Sequence, residues 1–179
     1  SDLIDLQEHY VALFDRSRVP SGERPAVLFR EQGIRWTWRE FATAVDELAA
    51  GFLALGLQRG DRLGIWSPNR AEWLVTQFAT ARVGIVQVNI NPAYRPAELE
   101  YTLRKVGVKA LVCATAFKSS DYVAMVETLL PDLPGRGVVR SAGLPDLVHV
   151  IKMGGDPRPG WLQFDDIARL RTEATDREL

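Results

Sequence analysis

The chain has 179 residues, 46% of them hydrophobic, with 22 Lys and Arg against 23 Asp and Glu for a net charge of −1. That apolar content can bury a sizeable core as one domain or one large subdomain, and the even balance of charge leaves no electrostatic footprint for nucleic acid or an anionic membrane surface. The single Cys113 excludes an internal disulfide, and its place in the run KALVCA marks a buried strand thiol rather than a nucleophile, in keeping with a reducing cytoplasm.

The opening stretch SDLIDLQEHY carries acids where a secretory signal carries bases, and no uninterrupted apolar run approaches the roughly 20 residues that cross a bilayer. A start on Ser without Met reads as a boundary within a longer chain. Leu3, Leu6, Tyr10 and Leu13 recur at helical spacing, and VPSGERP then interrupts as a loop. AVLFREQGIRWTW holds two strand-like runs about EQG, where Gly33 can take a positive φ, so a hairpin is expected. Thr37 and Glu40 have the spacing of a capping box. Behind them Phe41, Val45, Leu48, Phe52 and Leu55 form an amphipathic helix ending at Gly56, with Trp36 and Trp38 as packing residues.

GDRLGIWSPN runs from a turn at Gly60 through a strand, Arg62 to Trp66, to a break at Ser67 and Pro68, with Asn69 and Glu72 as the start of the next helix. RAEWLVTQFATARVG is apolar on most faces, so that helix is expected to be enclosed. A second strand follows at Gly84 to Ile90, then a loop at Asn91 to Arg95 and a helix at Pro96 to Val106. Its stripe of Leu99, Leu103 and Val106 needs a partner surface. Pro96 suits the first turn, Glu98 and Glu100 sit near the positive end, Arg104 and Lys105 near the negative end, and Gly107 can stop the helix. The third strand is Lys109 to Ala114. Two successive crossovers predict an α/β fold with a mostly parallel sheet and flanking helices, preceded by a small hairpin.

The remainder reads as a helix around Ser120 to Leu130, a link rich in Pro and Gly from Pro131 to Pro145, a strand DLVHVI, a loop MGGDPRPG and a last helix from Phe164. The expected organisation is one subdomain over 1–179: an N-terminal helix and loop to 22, a βαβ core over 23–130, and the link, strand and last helix over 131–179.

Known chemical motifs are absent. None of the fourteen glycines precedes a Lys, so there is no Walker loop. GxGxxG is missing, and its nearest approach, GRGVVR at Gly135, lies in a proline-flanked link. There is no GxSxG elbow and no HExxH. His9 and His149 are the only histidines, and His149 within LVHVI reads as a strand residue. The pairs Glu98 with Glu100 and Asp165 with Asp166 complement helix dipoles. In parallel sheets, ligands collect beyond the carboxyl ends of the strands, which here are WSPN, NINPAY and CATAFKSS. Each precedes a helix N-terminus whose amides can hold a phosphate or carboxylate. Ser67, Asn69, Asn91, Tyr94 and Lys118 are therefore the candidate binding positions, although capping and loop solubility account for the same residues without a ligand.

The order of elements, together with TWREF, LGLQRGDRLGI, SPNRAEW and NINPAYRPAELEYTL, closely resembles the N-terminal portion of the adenylate-forming, AMP-binding enzymes. The likeness is greatest to medium- and long-chain fatty acyl-CoA synthetases. The resemblance implies a two-step ligase: a fatty acid carboxylate attacks ATP to give acyl-AMP and pyrophosphate, and the thiol of coenzyme A then displaces AMP. It also implies Mg²⁺ for the intact enzyme. The family's phosphate loop, metal-serving acid, ribose Asp and mobile Lys have no match here, so no catalytic residue and no metal ligand carries over. What is implied is the first subdomain alone, inactive, without bound ligand, and self-associating through an exposed apolar face. An adenylation domain for aryl or amino acids is the other substrate class, and a stand-alone Rossmann-like binding module is the rival class. A cytoplasmic location is implied, or a peripheral one at a membrane.

Overall fold

The computed structural model describes residues 23, 25–117, 119–133 and 138–179. The expected N-terminal helix, His9, Lys118 and part of the Pro131–Pro145 link lie outside the described residues. The chain divides into two units, one through Gly60 with Asn69–Val86 and Ile167–Leu179, the other Asp61–Pro68 with Gln87–Asp166.

In the first unit, β1 (Pro25–Phe29) and β2 (Ile34–Thr37) form the expected antiparallel hairpin. Its turn places Gly33 at φ 65°. Helix α1 (Trp38–Ala54) begins on the expected capping box: Glu40 N donates to Thr37 Oγ1 at 3.1 Å, and Thr37 N to Glu40 Oε1 at 3.4 Å. Phe41, Val45, Leu48 and Phe52 are buried, and Phe41 gathers Trp36, Trp38 and Phe78 around it at ring separations of 6.1, 6.4 and 5.4 Å. Gly51 is required where α1 meets the tail, because a Cβ there would collide with the Ile167 carbonyl.

Helix α2 (Ala71–Arg82) is enclosed as expected but is not started by Asn69. Its N-cap is Arg70, without a side-chain cap. The partner comes from the hairpin turn instead: Gln32 Oε1 accepts from Ala71 N at 2.9 Å, and Gln32 Nε2 donates to the Glu72 carboxylate at 3.1 Å. Burial pushes the Glu72 carboxyl up, but hydrogen bonds from Arg70, its own backbone and Gln32 more than offset this and hold it below the ordinary range.

The second unit contains β3 (Arg62–Trp66), β4 (Val86–Asn89) from Gln87 onward, β5 (Val108–Ala114), β8 (His149–Met153) and β9 (Leu162–Gln163), ordered β4-β3-β5-β8-β9. The pairs β3·β5, β5·β8 and β8·β9 are parallel. Helix α3 (Pro96–Val106) occupies the expected residues, with Arg95 N donating to Glu98 Oε2 at 3.1 Å and Gly107 closing it at φ 72°. Leu99 and Leu103 of α3 join Tyr122, Val123 and Val126 of α4 (Tyr122–Leu129), and Trp66, Leu111, Cys113 and Val150 of the sheet, in one buried core. The stripe on α3 thus finds its surface.

Several boundaries differ from expectation. The second strand is Val86–Asn89, shorter than Gly84 to Ile90, because Gly84 and Ile85 form the turn leaving α2, Ile85 N donating to Thr80 O at 2.9 Å. The strand in DLVHVI shifts to His149–Met153. A small hairpin, β6 (Ala116–Phe117) with β7 (Ser120–Asp121), precedes α4, whose N-cap is Asp121. The last helix is broken into α5 (Phe164–Ile167), a 3₁₀ turn at Ala168–Leu170 and α6 (Glu173–Arg177).

Leu103 is 2% exposed, so Leu103→Asp should cost several kcal/mol by burying an unpaired carboxylate. A melting temperature equal to that of the unmodified chain would refute the packing of α3. Gln32→Ala, which strips α2 of its partner from the hairpin, should cost about 1 kcal/mol in urea denaturation.

Candidate functional site

The strand order sets where a ligand can approach. The chain leaves β3 toward β4 on one side, then crosses by way of α3 to β5 on the other. Neighbouring strands whose connections depart in opposite directions open a crevice beyond their carboxyl ends. Here that crevice lies past Trp66 of β3 and Ala114 of β5.

Two aromatic side chains fix its rim. Trp66 and Tyr122 are fully buried and meet edge to face at 4.4 Å. A buried indole N–H or phenol O–H needs an acceptor. Trp66 Nε1 donates to Asn91 O at 2.9 Å, and Tyr122 Oη to Pro92 O at 3.0 Å. Two successive carbonyls of the NINPAY loop are thereby tied to the core. Burial raises the Tyr122 pKa and nearby Cys113 raises it further, so the phenol remains a donor. Burial likewise pushes the Cys113 thiol far up, against a smaller opposing effect of Lys152, which leaves an inert thiol rather than a nucleophile.

The candidate residues fall out unequally. Ser67 is buried and its hydroxyl donates to Pro68 O at 2.7 Å, so it serves its own turn. Asn91 is exposed and its Oδ1 accepts from Ala93 N at 2.9 Å, while its Nδ2 has no partner among the described residues. The Tyr94 ring packs against the core of the second unit. Ser67, Asn91 and Tyr94 lie on the loops leaving β3 and β4. Asn69 is exposed and belongs to the first unit. Lys118 lies outside the described residues.

Sequence reasoning missed three residues here: Trp66, Tyr122 and Lys152. The signal for Lys152 is a charge inside the otherwise apolar run VIKM. It faces a cavity of about 320 Å³ beside the carboxyl ends of β5 and β8, lined in part by Thr115, Asp121, Gly155 and Arg158. Among the described residues no group of three or more His, Cys, Asp or Glu could hold a metal ion, so the donors present do not fit Mg²⁺. No helix among them is long and apolar enough to cross a membrane.

An open sheet with three parallel strand pairs and flanking helices defines an α/β protein. A model of the AMP-binding enzyme family matches residues 14–168, and the chain belongs to that family. It is 46% identical over 147 residues to the medium-chain acyl-CoA ligase ACSF2, mitochondrial, of Danio rerio, covering 81% of this chain and 24% of that protein. With the Homo sapiens protein of the same name it shares 42% over 152 residues, 84% of this chain and 24% of that one. The chain thus spans about a quarter of the length of these curated relatives. Among solved structures, the anthranilate CoA ligase AuaEII in complex with anthranoyl-AMP superposes with a TM-score of 0.75 over 90% of this chain and 28% of its own, at 22% identity, a likeness of fold.

Trp66→Phe should cost about 1–3 kcal/mol by leaving the Asn91 carbonyl without its donor, and Tyr122→Phe about 1 kcal/mol. Urea denaturation of both single variants and the double variant measures this. No loss in either would show that the loop is held by something else.

Proposed function

We propose that this chain is the first subdomain of an ATP-dependent acyl-CoA ligase acting on medium-chain fatty acids. The observation that carries the reading is identity of 42–46% with medium-chain acyl-CoA ligases over more than four-fifths of this chain. In that reaction the acid's carboxylate attacks ATP to form acyl-AMP and release pyrophosphate, and the coenzyme A thiol then displaces AMP. This chain supplies the sheet and the clamped Asn91–Pro92 loop that border the site. Asn91 Nδ2 and the Tyr94 hydroxyl, which have no hydrogen-bond partner among the described residues, are the groups proposed to meet a bound carboxylate or phosphate; Ser67 and Lys118 are candidates beside them, and Asn69, in the first unit, is a candidate by itself. Mg²⁺, where used, is held by residues outside this chain. The buried thiol of Cys113 supports a reducing compartment, and the cytoplasm is the one proposed, although both ACSF2 relatives carry mitochondrial in their names.

Pyrophosphate exchange by the intact protein, run with a panel of acids, tests the reading. Exchange should depend on medium-chain fatty acids. Exchange supported only by aryl or amino acids would move the protein to the other substrate class, and none with any acid would refute the ligase. The 179-residue chain alone should give no exchange and no micromolar ATP binding by calorimetry, because helix N-termini contribute only about 0.3–1 kcal/mol each toward an anion. Micromolar binding or acid-dependent exchange would place the phosphate site inside this chain.

A further inference from the structure

Lys152 is 2% exposed, between Ile151 at 0% and Met153 at 1% on β8. A buried ammonium is costly unless its charge is balanced and its three donors are used. Its hydrogen bond is to a neutral carbonyl, Gly154 O, at 2.6 Å. None of the ion pairs among the described residues includes it. Two donors therefore remain, on a residue that lines the cavity of about 320 Å³.

The approach to that ammonium is open because of Gly155. A Cβ at this position would stand 3.3 Å from Lys152 Nζ and 3.3 Å from Thr115 Cγ2, narrowing the passage between them. Further donors line the same cavity. The Thr115 hydroxyl has no partner among the described residues, and Arg158 binds Glu127 through Nε, at 2.7 and 3.0 Å, leaving its two Nη groups. The first amides of α4 are already spent, Tyr122 N on Thr115 O and Ala124 N on Asp121 Oδ1. Positive charge at the floor thus comes from Lys152 and not from the helix end. Asp121 and Asp156 also line the cavity, so it is no general sink for anions, and selectivity must come from the direction of the donors. Ammonium, hydroxyl and guanidinium from three residues that line one cavity suit a tetrahedral oxyanion better than a planar carboxylate.

We propose that the cavity at the carboxyl ends of β5 and β8 is a phosphate-group site, with Lys152 at its floor, Thr115 on its wall and Arg158 at its rim. The proposal stands on residues of this chain and does not depend on the ligase reading. The affinity expected of so few donors is millimolar, compatible with the expectation that the chain alone shows no micromolar ATP binding.

Calorimetry and phosphorus NMR of the chain with inorganic phosphate test it, with ribose 5-phosphate as a monoester and acetate as a carboxylate control. Phosphate should bind at millimolar concentration, and Lys152→Met, which keeps the length of the side chain but not the charge, should weaken it by about tenfold or more. Should that variant fail to fold, Arg158→Gln decides: Arg158 has a side chain 53% exposed, and its replacement should weaken phosphate several-fold without lowering the melting temperature. Tighter binding of the monoester assigns the rest of the cavity to an organic substituent, and equal binding assigns the site to free phosphate; either supports the proposal. Equal phosphate affinity in the unmodified chain and a folded variant, acetate matching phosphate, or no millimolar binding at all would overturn it.

Discussion

The Trp66 indole and the Tyr122 phenol are both fully buried, and each carries a donor that must find an acceptor inside the core. They find it on consecutive carbonyls, Asn91 O and Pro92 O. This requirement organises much of the second unit. Trp66 ends β3 and Tyr122 begins α4, so the end of a strand, the start of a helix and the loop after β4 are tied at one point. From that loop the chain enters α3, whose Leu99 and Leu103 can reach the sheet only if its first turn is correctly placed. The edge-to-face contact of the two rings, at 4.4 Å, keeps both donors aimed at once. A loop held in this way by core side chains needs no ligand to order its carbonyls.

Elements that carry their own start and stop signals were legible in the sequence. Thr37 and Glu40 are three residues apart, and Pro96 and Gly107 bracket α3, so each signal lies within the helix it defines. Where the partner is distant the signal disappears. Asn69 looks like a cap, yet α2 takes its partner from Gln32, 39 residues before Ala71, and nothing local to either segment announces that pairing. The two residues of β9 are too few to show a period, and their place follows from pairing with Ile151 and Lys152. The strand ends at Trp66 and Ala114 were legible and are where β3 and β5 stop, but which groups in the loops beyond are spent on structure was not readable: Ser67 closes its own turn and Asn91 caps Ala93.

Fold and substrate also separate at this level. An anthranilate CoA ligase and this chain share the architecture at 22% identity, while the sequence relatives are named for medium-chain acids. A scaffold of parallel strands can serve either, because its side chains mostly pack against one another. The buried positions of β3, β5 and α3 specify a sheet with a crevice. Choice of acid requires side chains that touch the acid, which buried packing positions do not supply.

Cys113 and Lys152 are register partners on adjacent strands, and their contrast separates packing from chemistry. The thiol is neutral when buried, and its raised pKa keeps it so; it fills space as a small apolar group would. Lys152 gains nothing comparable from packing: its long stem could be matched by Met without an amine to desolvate. A charge held at this depth by one carbonyl is a net cost to folding. That cost is offset when an anion completes the coordination of the ammonium, and the cavity lies on the side from which one can enter. The same row continues to Gln163, whose amide donates to Gly155 O at 2.9 Å and so holds in place the glycine that leaves the passage open. Floor and support therefore lie on the adjacent strands β8 and β9, and Gly155, in the bend just after β8, is held between them.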